Sequence, residues 1–330
     1  MRAKPAVAVE DLHKIYANGI EAVRGLWFEV AEGEIFGLLG PNGAGKSTTL
    51  GVLTTVVRHT RGRAAVAGYD VRRQPREVRR RIGVVFQEAV LDNEFSGREN
   101  LRLHARLWGV SRHHSETRID ELLALMGIAG RADDNVRSYS GGMRRRLEIA
   151  RALLAGPRVV FLDEPTVGLD PSIRDAIWRL IEQLRRDEGV TVVLSTHYLE
   201  EAEGVCDRVG IIDHGRLVAQ GRPVGLVEQL GKELVELRVD GDADRGAAAL
   251  AALGMTTRAP LVRNDTVTLP LPAGAEALRS RIGEAADGLG IRASTVRRST
   301  LADVFAHLTA ASVGPEGEPE GEPQGEEASV

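Results

Sequence analysis

Apolar and polar positions change rhythm along this chain. Through about residue 220, short aliphatic or β-branched runs ending in polar residues alternate with segments whose apolar residues return every three or four positions, the pattern of an α/β fold. Glu34–Leu39, Arg158–Asp163 and Thr191–Ser195 are the predicted buried strands. Continuous apolar runs of this kind fit a sheet covered on both faces, whose functional groups lie beyond the carboxyl ends of its strands. Between Phe95 and Ala155 the pattern turns helical, which predicts a helical insert over residues 95–155. Arg98–Trp108 and Arg118–Met126 are separate helix candidates, and a third starts at Met143, with Met143, Leu147, Ala150 and Leu154 on one face.

His214-Gly215 predicts a hairpin turn between RVGIID and RLVAQG, and a helix near Val224–Leu230 closes a main domain of residues 1–230. A different rhythm follows. ELVELRV and TVTLPL read as strands, and Ala275–Ala286 and Leu301–Leu308 as helices, so residues 231–312 are expected to form a small α+β domain. Residues 313–330 carry repeated GEP units and six glutamates with no basic residue, and are expected to be a disordered acidic tail.

Composition narrows the class. With 330 residues, 43% hydrophobic and 27% charged, the chain has enough apolar material for more than one core and too much for general disorder. Its most apolar stretch, Gly246–Met255, is far short of the roughly 18 residues of a membrane span. Charges appear too early at the N-terminus for a secretory leader, and the lone Cys206 cannot pair within the chain, so a cytoplasmic location is expected. The net charge of −4 comes from the tail, the remainder being near neutral, which argues against a nucleic-acid coat protein. Only four of the 43 basic residues are lysine. Six arginines crowd Arg72–Arg81, but no aromatic residues interleave them, and a solvated surface is the favoured reading.

The chemistry begins at GPNGAGKST. Gly40, Pro41, Asn42, Gly43, Ala44, Gly45, Lys46, Ser47 and Thr48 follow the apolar run EIFGLL, and G-x-x-x-x-G-K-[ST] after a strand is a phosphate-binding loop. Its glycines let backbone N–H groups face phosphate oxygens, the next helix adds its positive end, Lys46 adds a point charge and the Ser47 hydroxyl suits Mg²⁺. In VVFLDEP, Asp163 and Glu164 leave a strand side by side. Two adjacent carboxylates divide two tasks: Asp163 supports the magnesium shell, and Glu164 acts as general base on the attacking water.

The segment YSGGMRRRLEIARALL, Tyr139–Leu154, resembles the signature of ATP-binding-cassette (ABC) ATPases. Gln87 in VVFQE, Gly168-Leu169-Asp170 and His197 in LSTH stand in that family's order, and the similarity covers Val7 to Leu230. The YSGGM form followed by RRR, with the ending STLADVFAHLTA, is similar to the ATPase subunits of daunorubicin-resistance-type drug exporters. The resemblance implies a P-loop ABC ATPase domain with a helical insert, a small α+β accessory domain, and ATP and Mg²⁺ as ligands. It implies that Tyr16 stacks on adenine, that Gln87 reaches magnesium and the attacking water, and that His197 contacts the γ-phosphate. Ser140, Gly141 and Gly142 would bind the nucleotide held by a second copy, with Asp170 near the shared interface. The signature departs from LSGGQ at Tyr139 and Met143, so contacts of the usual Gln do not carry over to Met143.

Partners follow from the same resemblance: a second copy of the chain in an ATP sandwich, and separately encoded integral membrane permease subunits, with this chain peripheral at the cytoplasmic face of the membrane. Leu101, Leu107 and Trp108 are candidates for the permease groove, core burial being favoured for each. The competing reading is a soluble ABC ATPase acting on nucleic acid or ribosomes through the arginines around Arg72 and Arg144–Arg146. Such factors commonly carry two cassettes in one chain, whereas one set of motifs occurs here. His113 and His114 lack cysteine partners and ligand spacing, so a solvated loop is expected rather than a zinc site.

Overall fold

The computed structural model describes residues 4–88, 90–240, 243, 247, 260–271 and 291–310. The chain divides into two compact units, Met1–Leu226 and Val227–Val330. In the first, the chain runs β1 (Val7–Ile15), β2 (Glu21–Val30), β3 (Ile35–Leu39), α1 (Lys46–Leu53), β4 (Arg61–Val66), β5 (Tyr69–Asp70), α2 (Pro75–Arg79) and β6 (Ile82–Val85). Three helices follow: α3 (Gly97–Leu107), α4 (Arg112–Leu125) and α5 (Gly141–Leu153). It returns through β7 (Val159–Asp163), α6 (Pro171–Glu188), β8 (Thr191–Thr196), α7 (Leu199–Val205), β9 (Arg208–Asp213) and β10 (Arg216–Gly221) to α8 (Pro223–Leu230), which crosses the boundary between the units.

Six strands form one sheet in the order β10-β9-β3-β8-β7-β6, parallel throughout except for the β9–β10 hairpin. Every residue of β3 and β8 is buried, which is why their sequences read as continuous apolar runs. At the hairpin tip His214 and Gly215 both take positive φ, 45° and 77°, the geometry that a two-residue primed turn demands. A second, antiparallel sheet, β2-β1-β4-β5, was not anticipated from the sequence. Its buried residues Val7, Leu12, Leu26 and Phe28 share one core with Phe36, Leu38, Leu50 and Leu53, and the Phe28 and Phe36 rings stack at 5.4 Å.

The helical stretch differs from expectation in its boundaries. Helix α3 starts at Gly97 because Ser96 and Glu99 close a capping box, Ser96 Oγ accepting from Glu99 N at 3.2 Å and Ser96 N donating to Glu99 Oε2 at 2.8 Å. Helix α4 begins well before Arg118, so His113 and His114 lie in its first turn and not in a loop. No group of three metal-binding side chains occurs among the described residues. Leu101 is core, whereas Leu107 (69%) and Trp108 (46%) are exposed, which corrects the core placement favoured for those two. Helix α6, with Ile177, Trp178, Leu180, Ile181 and Leu184 buried, is an element that sequence reading had not placed.

The second unit holds an antiparallel sheet in the order β12-β13-β11-β14, built from β11 (Glu233–Val239), β12 (Leu261–Arg263), β13 (Thr266–Leu271) and β14 (Ile291–Arg298), with α9 at Leu301–Ala310. Val235, Leu237, Val239, Val267, Leu269 and Leu271 form its core. The expected helix Ala275–Ala286 and the acidic tail lie outside the described residues.

Candidate active site

Beyond the end of β3, the loop from Gly40 to Gly45 turns into helix α1. Gly45 sits at φ 102°, and a Cβ there would overlap the Ala22 carbonyl oxygen, so the loop closes against β2 only with glycine at this position. Lys46 is 5% exposed and donates to the carbonyl oxygens of Gly40 at 2.7 Å and Pro41 at 3.1 Å. Pro41, Asn42, Gly43, Gly45, Lys46, Ser47 and Thr48 line a cavity of about 420 Å³ together with Gln87, Glu164 and His197. Thus one space collects residues more than a hundred positions apart in the chain, because the strands that carry them end at the same edge of the sheet.

The two carboxylates leave β7 in different directions. Ser47 Oγ donates to Asp163 Oδ1 at 3.2 Å, and the Ser195 hydroxyl donates to the same oxygen. Glu164 is 7% exposed and adopts φ 48°; its main-chain N–H donates to Ser195 Oγ at 3.1 Å and Ser195 O at 3.2 Å. This left-handed backbone turns its side chain into the cavity, where Oε1 lies 3.5 Å from Lys46 Nζ and Oε2 lies 2.9 Å from His197 Nδ1. A buried carboxylate between a lysine and a histidine is compensated on both sides. A serine hydroxyl facing an aspartate oxygen is a hard oxygen pair that suits Mg²⁺.

Tyr16 does not line the cavity; it is exposed, its hydroxyl 3.2 Å from Oγ1 of the lining residue Thr48 and its ring 4.7 Å from Lys14 Nζ. Gly40 and Ala44 belong to the loop but do not line the cavity. Ser140, Gly141, Gly142 and Asp170 do not line it either. Ser140 caps α5 by accepting from Met143 N at 3.3 Å, and a Cβ on Gly142 would meet Ile173 at 2.8 Å, so the signature turn packs beside the segment that carries Asp170. Ser140, Gly141 and Asp170 are all exposed.

Four supporting residues escaped the sequence reading: Ser195, Arg145, Glu148 and Glu201. Glu201 gathers Thr166 Oγ1 at 2.6 Å, Trp178 Nε1 at 3.1 Å and Arg174 Nη1 at 3.2 Å, while Arg174 Nε donates to Leu169 O at 2.8 Å and covers the Tyr198 ring at 4.6 Å. The stretch before Asp170 is thereby tied to the stretch after His197. Arg145, considered as a nucleic-acid contact in the competing reading, is buried and unavailable for one.

Comparison with known proteins decides what the arrangement is. The family model described as ABC transporter matches residues 23–167, and the chain is 41% identical to the daunorubicin resistance ATP-binding protein DrrA3 of Streptomyces coeruleorubidus over 93% of this chain and 96% of that one. The chain belongs to the ABC transporter ATP-binding family. Two solved members share its fold. One is cbiO1 of Clostridium perfringens, part of the ABC transporter complex cbiONQ, with 29% identity and a TM-score of 0.63 over 67% of this chain and 89% of that chain. The other is an ATP-binding cassette solved as a dimer in a post-hydrolysis state with ADP and Pi, with 27% identity and a TM-score of 0.60 over 66% of this chain and 98% of that chain. This ABC protein is an ATPase, the ATP-hydrolysing subunit of a transporter, and the nucleic-acid or ribosome alternative falls away. Among the described residues no helix is long and apolar enough to cross a membrane.

Proposed function

We propose that this subunit works at the cytoplasmic face of the membrane and powers export of a drug-like or hydrophobic small molecule through separately encoded permease subunits. Support for the cargo class is the near full-length similarity to a daunorubicin resistance protein. Residues 1–230 act as the ATP-binding domain and 231–312 as an accessory domain. The loop Gly40–Thr48 holds the phosphates, with Lys46 leaving its present carbonyl partners for them, and Tyr16 stacks on the adenine. Ser47 and Asp163, with Gln87 beside them, would hold Mg²⁺, which would supply charge neutralisation at the terminal phosphates. Glu164 accepts a proton from the attacking water, Gln87 orients that water, and His197 steadies the Glu164 carboxylate and contacts the γ-phosphate.

A single copy holds only part of this site. Ser140, Gly141 and Asp170 stay exposed and, with the buried Gly142, lie away from their own cavity, which supports the reading that the four complete the nucleotide site of a second copy. For the permease, a separate cavity of about 190 Å³ lined by Val56, Phe86, His104 and Trp108 offers an apolar seat. Burial and nearby Arg151 push His104 down to about 4, so its ring enters that seat uncharged.

The observation that carries the reading is the Glu164 carboxylate, held between Lys46 and His197 in the cavity of the phosphate loop. Replacement by an amide removes the proton acceptor and little else. Glu164→Gln is expected to bind ATP with unchanged affinity and to hydrolyse it at least a hundredfold more slowly, in line with loss of a positioned base. Turnover equal to that of the unmodified protein would reject the assignment.

A further inference from the structure

Arg145 lies in the second turn of helix α5, five residues after its cap Ser140, and is 7% exposed. A guanidinium keeps its charge and presents five N–H donors, so it survives burial only where those donors are matched. Here Nε donates to Pro165 O at 2.8 Å, Nη1 to Phe86 O at 2.7 Å and Glu148 Oε2 at 3.0 Å, and Nη2 to Asp163 O and Glu164 O, both at 3.0 Å. Three of these acceptors are the consecutive carbonyls of the turn that presents Asp163 and Glu164. A fourth belongs to the residue before Gln87. Glu148 is 3% exposed, balances the charge, and accepts with its other oxygen from Val90 N at 3.2 Å, beyond Gln87. One buried ion pair therefore holds the Gln87 loop from both sides and the whole Asp163–Pro165 turn.

We propose that Arg145, partnered by Glu148, is a positioning residue that sets Gln87, Asp163 and Glu164 of its own subunit and couples them to Ser140 on the same helix. The coupling half rests on the sandwich reading, in which Ser140 serves the nucleotide held by the partner copy. Over five residues a helix advances about 7.5 Å and moves as a rigid unit, so a shift at its N-terminus is delivered to the guanidinium and its five acceptors together. Lysine keeps the charge but offers a point donor that cannot span acceptors on two separate loops.

The test uses the full chain with Arg145→Lys and with the double variant Arg145→Gln/Glu148→Gln, which leaves no buried charge unpaired. For both, affinity for a fluorescent ATP analogue is expected to stay within about threefold of the unmodified protein, KM likewise, while kcat falls at least tenfold. A structural role alone would lower the melting temperature and leave kcat intact. Values of kcat within twofold in either variant would overturn the positioning role. The coupling is read in Glu164→Gln, where ATP-driven dimerisation should slow amide exchange at Gln87 and Val90, and adding Arg145→Lys should abolish that slowing while the dimer still forms. If slowing persists in the dimeric double variant, the coupling is wrong; if Glu164→Gln never dimerises, it is the sandwich reading, and the coupling with it, that fails.

Discussion

Ser195 offers a sharp test of how the two carboxylates are held apart. Its fully buried hydroxyl accepts from the Glu164 N–H at 3.1 Å and donates to Asp163, so one oxygen serves both neighbours. Ser195→Ala leaves an Asp163 oxygen short of a donor and the Glu164 N–H with only the 3.2 Å bond to Ser195 O, which loosens the residue at its φ of 48°. That conformation costs a residue with a side chain about 1–2 kcal/mol and needs its surroundings to persist. Losing a hydrogen bond to a partly buried charged acceptor, plus a neutral one, costs about 2–3 kcal/mol. For a domain of this size each kcal/mol lowers the melting temperature by about 2–4 °C, so a fall of about 4–12 °C is expected in a thermal melt. A displaced Glu164 should also lower kcat about tenfold, equivalent to about 1.4 kcal/mol, in a phosphate-release assay. ATP affinity should hold, because the phosphate loop is untouched. A variant that melts within 1 °C and turns over within twofold of the unmodified protein, thresholds well inside those estimates, would refute this account.

Other expectations follow from single residues. Gly45→Ala should weaken ATP-analogue binding more than tenfold, since the added Cβ at φ 102° overlaps the Ala22 carbonyl oxygen and must displace the loop; a titration matching the unmodified protein would contradict it. His104 binds a proton more weakly when folded, near 4, than when unfolded, so its contribution to stability is lost as pH falls from about 6.5 towards 4. Between pH 7 and pH 5 this amounts to about 1–2 kcal/mol, and denaturant unfolding of His104→Asn should lack that part of the pH dependence.

What could be read from the sequence was what local pattern determines. IFGLL ahead of GPNGAGKS, VVFLD ahead of Glu164 and the His214-Gly215 turn carry their geometry in adjacent residues. The start of α4 was hidden because RHHSETR is polar on all sides, although Ser115 within it is buried. Arg145 was hidden by its neighbours: within Arg144–Arg146 only the middle residue is fully buried. The signal lay in helical phase, since Arg145, Glu148, Ile149 and Ala152 share the buried face of α5, and a charged pair in phase with an apolar stripe marks a buried ion pair. Tyr139, one of the two departures from the usual signature, is consumed internally, with its ring buried and its hydroxyl donating to Arg131 O at 2.6 Å. Ser195 gave no sign because its role depends on the pairing of β7 with β8, which brings it opposite Asp163.

Light scattering on Glu164→Gln, with and without ATP and Mg²⁺, bears most directly on the claim that two copies complete each other's sites. The protein should be a single chain without nucleotide and twice that mass with it, and adding Ser140→Arg should return it to a single chain with its ATP-analogue affinity preserved. A Glu164→Gln protein that stays a single chain at saturating ATP, or a Ser140→Arg variant that still doubles in mass, would contradict the account.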